Sequence, residues 1–150
     1  MIDKKDDAFL ETNLKGLMMT LVGRWNTQMD EARAQTEFGS VRPSDIRVFS
    51  ELRGRTLKLS EIHKDLGFSR QAAQQSVDRL VAHGMLRVEL TEGSKRDKRV
   101  VITEKGQAWR SHAARLIQGF EAECMRVVGP QDTQTLRRIL AALIDGEPID

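Results

Sequence analysis

Apolar and polar residues follow a helical period between Ser69 and Gly84. The apolar positions fall on one side of the predicted helix: Ala73, Val77, Leu80 and Val81. The polar positions fall on the other: Arg70, Gln71, Gln74, Gln75 and Asp78. The Ser69 hydroxyl can accept a hydrogen bond from a free N–H of the first turn, and Gly84 suits the left-handed residue that ends a helix. The pattern predicts one amphipathic helix between these two residues.

A shorter helix precedes this one, with a tight turn between them. Ile62 and Leu66 face inward over a predicted helix Ser60–Leu66, which Ser60 can cap and Gly67 can end. Only the residues GFS separate it from Ser69. A short helix, a turn containing glycine and an amphipathic helix form the helix-turn-helix pattern.

A predicted β-hairpin follows the amphipathic helix directly. The residues MLRVEL alternate between two faces, and the β-branched run VVIT returns as a second strand. The polar and basic run TEGSKRDKR lies between the strands, as expected of a hairpin tip. A helix-turn-helix followed by such a hairpin is the winged-helix arrangement.

Long helices are predicted on both sides of this region. Their ranges are Phe9 to about Thr36, Pro43 to about Arg53, Thr103 to Val128, and Pro130 to about Ile144. The apolar face of the first is wide and close to a heptad seam. Either the monomer buries this face alone, or a second copy of the chain covers part of it. The fold class is therefore mainly α with a small β-hairpin.

Composition narrows the class of protein. The 150 residues fit one domain, and a net charge of +2 excludes a polycation. Positive charge is local, in RGRTLK at 53–58 and KRDKR at 95–99, which suits contact with phosphates on one surface. Cys124 is the one cysteine, so no intrachain disulfide forms. With no apolar membrane span and no signal-peptide core, we expect a cytoplasmic protein with no membrane partner.

The polar face of the amphipathic helix predicts contact with double-stranded DNA. Amide and guanidinium groups make paired hydrogen bonds to base edges in the major groove. The candidate base-contacting side chains are Arg70, Gln71, Gln74 and Gln75, with Ser69 beside them at the helix start. Candidate contacts to phosphate or the minor groove are Lys95, Arg96, Lys98 and Arg99. The alternative is a solvated amphipathic helix and a solvated loop.

Nearly the whole chain resembles the MarR family of bacterial transcriptional regulators. The best local matches are LSEIHKDLGFSRQAAQQSVDRLVAHGMLRVEL and the ITEKG run, Ile102 to Gly106. The resemblance implies a single domain over 1–150, with dimerisation helices at 8–37 and 104–146 and a winged helix-turn-helix at 42–103. It implies a homodimer that represses transcription at a palindromic operator and is released by a small-molecule effector, with aromatic compounds the first class to test.

One departure from the family pattern concerns the wing arginine. The family has an Asp-x-Arg pair whose arginine lies seven residues before the threonine of its L-T-x-x-G run. Counting back from Thr103 gives Arg96, with Ser94 at the aspartate position. Asp97 and Arg99 match in residue type but lie closer to Thr103. The spacing slightly favours Arg96, and both alternatives remain open.

The resemblance also implies an effector pocket between the terminal helices and the winged helix. Residues that combine apolar walls with polar groups are the candidates: Trp25, Met29, Arg47, Trp109 and His112. For each of them, ordinary packing or exposure is the alternative. Cys124 lies on an apolar helix stripe, which favours packing over redox chemistry.

Neither catalysis nor a bound cofactor is predicted. His63, His83 and His112 lack metal-ligand spacing, and the chain has no P-loop, G-x-S-x-G or H-E-x-x-H motif. The competing function is a winged helix that docks proteins or binds DNA non-specifically as an architectural protein.

Overall fold

The structure is a computed structural model that describes residues 3–93 and 96–150. The chain divides into two compact units, Met1–Ser111 and His112–Asp150, and the boundary falls within one long helix. The fold is mainly α with a small antiparallel sheet, as the sequence predicts.

Among the described residues of the first unit, the structure has the complete α-helices α1 to α5 and the sheet. The helices are α1 (Lys4–Thr12), α2 (Leu14–Ala34), α3 (Pro43–Glu51), α4 (Ile62–Leu66) and α5 (Arg70–Ala82). The strands are β1 (Leu57–Lys58), β2 (Leu86–Leu90) and β3 (Lys98–Ile102). Helix α6 (Glu104–Val128) begins in the first unit and ends in the second, which α7 (Pro130–Asp145) completes.

The prediction of one continuous helix from Phe9 to Thr36 is wrong. Asn13 adopts an extended backbone, φ −71° and ψ 158°, and separates α1 from α2. Its Oδ1 accepts a hydrogen bond from the Gly16 N–H at 2.8 Å, while its Nδ2 donates to the Leu10 carbonyl at 2.8 Å. One side chain therefore satisfies backbone groups of both helix ends, which makes the break stable.

The predicted hairpin is confirmed, and a third strand extends it. Strands β2 and β3 pair antiparallel from Leu86 opposite Ile102 to Leu90 opposite Lys98. Strand β1, which the sequence pattern did not indicate, pairs antiparallel with the other edge of β3 and places Lys58 opposite Arg99. The strand order is β1-β3-β2, so β3 lies in the centre.

The helix-turn-helix is present with two corrections. Ser60 does not cap a helix, because it lies within a 3-10 turn, Leu59–Glu61, and α4 begins only at Ile62. Val81 is 37% exposed, so the buried stripe of α5 is narrower than predicted. Ala73, Val77 and Leu80 are buried as expected.

Large apolar side chains form the core of the first unit. Those with almost no exposure are Ile62, Val77, Leu80, Met85, Val100 and Trp109. The Trp109 ring packs against Phe38 with 5.4 Å between centroids, which joins the start of α6 to the segment after α2. The core therefore supports α5 and the sheet from beneath.

The ITEKG run forms the junction between β3 and α6. The Thr103 hydroxyl caps α6, because it accepts a hydrogen bond from the Gly106 N–H at 3.0 Å, and it donates to the Gly84 carbonyl. A Cβ at Gly106 would lie 2.3 Å from the Met85 carbonyl oxygen. This glycine is required because helix and backbone approach closely there.

The second unit is a helical hairpin with Gly129 at its turn. Gly129 has a φ of 89°, and α7 begins at Pro130, whose fixed φ suits a first helical position. Arg137 of α7 donates to both carboxylate oxygens of Glu121 on α6, at 2.8 and 2.9 Å. Among residues 3–93 and 96–150, no helix combines the length and apolar character needed to cross a membrane.

Candidate nucleic-acid interface

Helix α5 presents its polar residues along an exposed face. The Ser69 hydroxyl accepts a hydrogen bond from the Ala72 N–H at 3.1 Å, so the predicted cap is confirmed and the helix begins at Arg70. The side chains of Arg70, Gln71 and Gln75 are exposed, and Gln74 is partly buried. These groups lie in the first two turns of the helix, where they can approach a ligand from one side.

A buried carboxylate on α3 holds the opposite face of α5. Asp45 accepts a hydrogen bond from the Ser76 hydroxyl at 2.6 Å and two from Arg79, at 2.7 and 2.9 Å. Asp45 has no exposed surface, whereas about a third of the Arg79 side chain is exposed. The polar contacts fix how α5 is rotated on the core, because they join α3 and α5 at two positions one turn apart.

The same contacts set the protonation of Asp45. Burial acts to raise its pKa, but hydrogen bonds from Arg79 and Ser76 act in the opposite direction. Together with the charges of Arg79 and Arg42 they prevail and hold the pKa of Asp45 below its usual value of 3.8. Asp45 is therefore an anion at neutral pH and a matched partner for Arg79.

The predicted wing residues that the structure describes lie in two parts of the hairpin, the strand β3 and the loop before it. Lys98 and Arg99 belong to β3, where Arg99 lies opposite Glu89 and Lys58. Arg96 lies in the loop and is exposed. Backbone pairing continues past the strands, since the Thr91 N–H donates to the Asp97 carbonyl at 2.8 Å. Lys95 lies outside the described residues. The register thus places Arg96, rather than Arg99, in the hairpin tip.

A cleft of about 240 Å³ brings the two sets of predicted residues together. Its described lining comprises Lys58, Leu59, Ser60, His63, Arg70, Gln74, Arg96, Asp97 and Lys98. Four of these side chains are cationic and one is acidic, so the cleft favours anions. Arg70 and Gln74 come from α5, while Arg96 and Lys98 come from the hairpin. Ser69, Gln71, Gln75 and Arg99 are not among the described lining residues.

Five described lining residues were not predicted as site residues: Lys58, Leu59, Ser60, His63 and Asp97. Lys58 belongs to the basic run 53–58, so its charge was visible in the sequence, but its position beside the hairpin depends on β1. Ser60 and His63 lie on the 3-10 turn and α4, and no spacing pattern indicated them. Within the described residues, the buried Nδ1 of His63 has no hydrogen-bond partner.

The five candidate effector residues differ in solvent exposure and in the unit to which they belong. Trp25 and Met29 on α2 are half-buried, and Arg47 on α3 is exposed, 4.0 Å from Asp30. Trp109 is 1% exposed within the core of the first unit. His112 is half-buried and belongs to the second unit. Their assignment to an effector pocket stays a prediction.

The described residues contain no metal-binding cluster. Across 3–93 and 96–150, no three His, Cys, Asp or Glu side chains lie close enough to hold a metal ion. Cys124 is a free cysteine, half-buried on α6.

The arrangement of α4, α5 and the three-stranded sheet defines a winged helix-turn-helix. Solved structures of MarR family regulators have the same fold over nearly the whole chain. One from Silicibacter pomeroyi is 23% identical, covers 91% of each chain and has a TM-score of 0.67. MarR from E. coli, in its ligand-free form, is 19% identical over 88% of this chain and 96% of its own, with a TM-score of 0.68.

A third similar structure was solved with DNA. FabT of Streptococcus pneumoniae in complex with DNA is 11% identical, covers 88% of this chain and 93% of its own, and has a TM-score of 0.72. No protein-family model and no curated protein matches the sequence. The chain therefore has the fold of the MarR family regulators, at low sequence identity.

Proposed function

We propose that this protein is a MarR-type transcriptional regulator that binds a specific double-stranded DNA site as a homodimer. The observation that carries the proposal is the shared cleft. Side chains from the start of α5 and cations from the hairpin face the same space, although about 25 residues separate them in the sequence. If α5 and the hairpin tip were only solvated surface, we would not expect their cationic and amide side chains to line the same cleft.

The two parts of the site have different tasks in this proposal. Helix α5 enters the major groove, where Arg70 and the glutamines contact base edges and supply sequence discrimination. Arg96 and Lys98 contact phosphate or the minor groove and supply affinity without sequence choice. Lys58 adds a third phosphate contact, since it lines the same cleft from β1, the strand paired with β3.

Exposed apolar side chains on the terminal helices support the homodimer. In the first unit they include Phe9, Leu10, Leu14, Leu17, Met18, Met19 and Val22. In the second unit they include Ile117, Val127, Leu136, Ile139, Leu143 and Ile144. Large exposed apolar patches on soluble proteins mark interaction sites, so we propose a second copy as the partner that covers these side chains. Two copies place two recognition helices on one duplex.

Repression and release by a small molecule complete the proposal. A bound dimer in the cytoplasm blocks transcription from the site that it covers, and an effector that binds near Trp25, Met29, Arg47, Trp109 and His112 releases it. Tryptophan fluorescence during titration with aromatic acids tests this part, because Trp25 and Trp109 are the two tryptophans of the chain. Unchanged fluorescence with every such compound would remove the support for this effector class.

Selection of bound sequences from random duplex DNA tests the main proposal. We expect a two-fold symmetric consensus whose half-sites lie about one helical turn, ~34–36 Å, apart. The expected ratio of specific to non-specific affinity is at least about 10³. An architectural protein or a protein-docking winged helix would yield no consensus and a ratio near one, which would overturn the proposal.

A further inference from the structure

Two polar residues on α5 are hydrogen-bonded one turn apart. The Gln74 Nε2 donates to Asp78 Oδ1 at 2.8 Å, and both side chains belong to the polar face that the sequence predicts. Gln74 also lines the basic cleft, whereas Asp78 is exposed beyond it. Asp78 therefore touches a residue of the proposed base-contacting set without lining the cleft itself.

The Asp78 carboxylate determines which end of the Gln74 amide faces it. A carboxylate only accepts hydrogen bonds, so the NH₂ group of the amide must point toward Asp78. Turning the amide by 180° would place its carbonyl oxygen against a carboxylate oxygen, and both would repel each other. Asp78 thus favours one of the two orientations that an isolated glutamine amide can adopt.

A glutamine oriented in this way presents one acceptor and one donor. The amide keeps its carbonyl oxygen and the second N–H of Nε2 for another partner. Adenine offers the matching pair in the major groove, the N6 donor and the N7 acceptor, whereas guanine offers two acceptors, N7 and O6. An amide that could turn freely would discriminate less well between these two purines.

We propose that Asp78 is a specificity-determining residue that positions the Gln74 amide to select adenine at one position of each half-site. Asp78 makes no base contact in this arrangement and acts through Gln74. The inference rests on the proposed function, because it requires α5 in a major groove.

Single-position duplex variants test the inference. The adenine assigned to Gln74 in the selected site is replaced by guanine, or by 7-deazaadenine, which lacks the N7 acceptor. Affinities are measured for the wild type, Gln74→Ala, Asp78→Ala, Asp78→Glu and the double variant Gln74→Ala/Asp78→Ala. We expect Asp78→Ala to reduce discrimination by about twofold, the extent to which an exposed i, i+4 hydrogen bond can bias the amide.

The remaining variants distinguish positioning from direct contact. Asp78→Glu keeps an acceptor one turn from Gln74 and should restore discrimination. In the Gln74→Ala background, Asp78→Ala should change discrimination no further. Asp65→Ala is the matched control, because it also removes an exposed acid, from α4, and should raise affinity for all DNA without altering base preference.

The outcomes separate the two proposals. Absence of any consensus for the wild type would overturn the proposed function and this inference with it. A consensus in which Gln74→Ala changes no position, or in which Asp78→Ala leaves discrimination intact, would overturn this inference alone. So would an equal effect of Asp78→Ala with and without Gln74, which would make Asp78 a direct base contact.

Discussion

At the residue scale, Asp45 explains why α5 has a defined rotation on the core. The carboxylate is completely buried, and each of its oxygens accepts from Arg79 or Ser76. Apolar packing of Ala73, Val77 and Leu80 would tolerate small rotations, whereas charge-assisted hydrogen bonds are directional. The polar network thus fixes the rotation of α5, while the apolar stripe stabilises its packing on the core.

The depressed pKa of Asp45 predicts a pH-dependent contribution to stability. Asp45→Asn should lower the free energy of unfolding at pH 7 by about 1.5–3 kcal/mol, the range for hydrogen bonds to charged groups. Because the pKa of the folded state lies below 3.8, this difference is present above that pH and disappears as pH falls through the folded-state pKa. Urea denaturation of both proteins from pH 7 to 3, at one protein concentration, measures it.

If the difference in unfolding free energy between the wild type and Asp45→Asn stayed constant down to pH 3, it would contradict this account. Asp65→Asn is the control, since Asp65 is exposed and lies 4.0 Å from Arg55. Its unfolding free energy should differ from that of the wild type by less than about 0.5 kcal/mol.

Arg96 is the second residue whose role can be measured directly. In the proposed complex it contacts phosphate, so Arg96→Ala should weaken binding to all sequences similarly. The slope of log affinity against log salt should become shallower by about one. Arg126→Ala is the control, because Arg126 is exposed but pairs with Glu123 in the second unit. An Arg96→Ala slope equal to that of the control would show that the hairpin tip does not contact DNA.

At the element scale, the turn from β3 into α6 depends on two small residues. Thr103 caps the helix and also hydrogen-bonds to the Gly84 carbonyl, so it connects the turn after α5 with the start of α6. Gly106 lies against the Met85 carbonyl with no room for a side chain. The ITEKG run is thus explained by local packing, independently of DNA contact.

Substitution of Gly106 should be far more costly than substitution of another glycine on the same helix. Gly106→Ala should lower the free energy of unfolding by about 1–3 kcal/mol, because the added Cβ overlaps backbone and neighbouring side chains. Gly119→Ala meets no atom within 4 Å and should raise it by about 0.5–1 kcal/mol through helix propensity. Thermal or urea unfolding of the two variants measures the contrast, and equal effects would contradict it.

Elements with strong local signals were predicted, and those that depend on distant partners were not. The α5 cap at Ser69, the hairpin and the cap of α6 at Thr103 each have a local sequence pattern. Strand β1 has only two residues, and its partners Arg99 and Val100 lie about 40 positions away, so no periodicity could indicate it. The break at Asn13 was missed because the apolar period continues through it.

Some parts of the candidate site could likewise be predicted from local sequence, whereas others depend on distant residues. The polar face of α5 and the basic hairpin follow from residue type and spacing. The Asp45 network joins residues that are 31 and 34 positions apart, so the sequence offered no signal for it. The sequence shows the positive charge of Lys58 but not that this residue lies next to the hairpin. The Gln74–Asp78 pair is an i, i+4 contact, which spacing on a helix could have suggested.

At the scale of the whole molecule, the exposed apolar residues predict self-association. Leu143 on α7 is 67% exposed, and Leu143→Glu should shift the protein from dimer toward monomer in sedimentation equilibrium, because a charge would enter the proposed interface. Leu90→Glu is the matched control: Leu90 is 60% exposed but lies at the end of β2 in the hairpin. We expect this control to remain dimeric. A monomeric wild type would exclude the homodimer.

Strand β1 has a mechanical consequence for the proposed DNA complex. It joins the centre of the sheet to the 3-10 turn that leads into α4, so the hairpin and the helix-turn-helix share a backbone connection on both sides of β3. In the proposed complex we expect this pairing to limit movement of the hairpin relative to α5, so the protein should adjust little to grooves of different width. In the proposed complex the duplex makes that adjustment, and sites with pliable pyrimidine–purine steps should be favoured even where no side chain touches them.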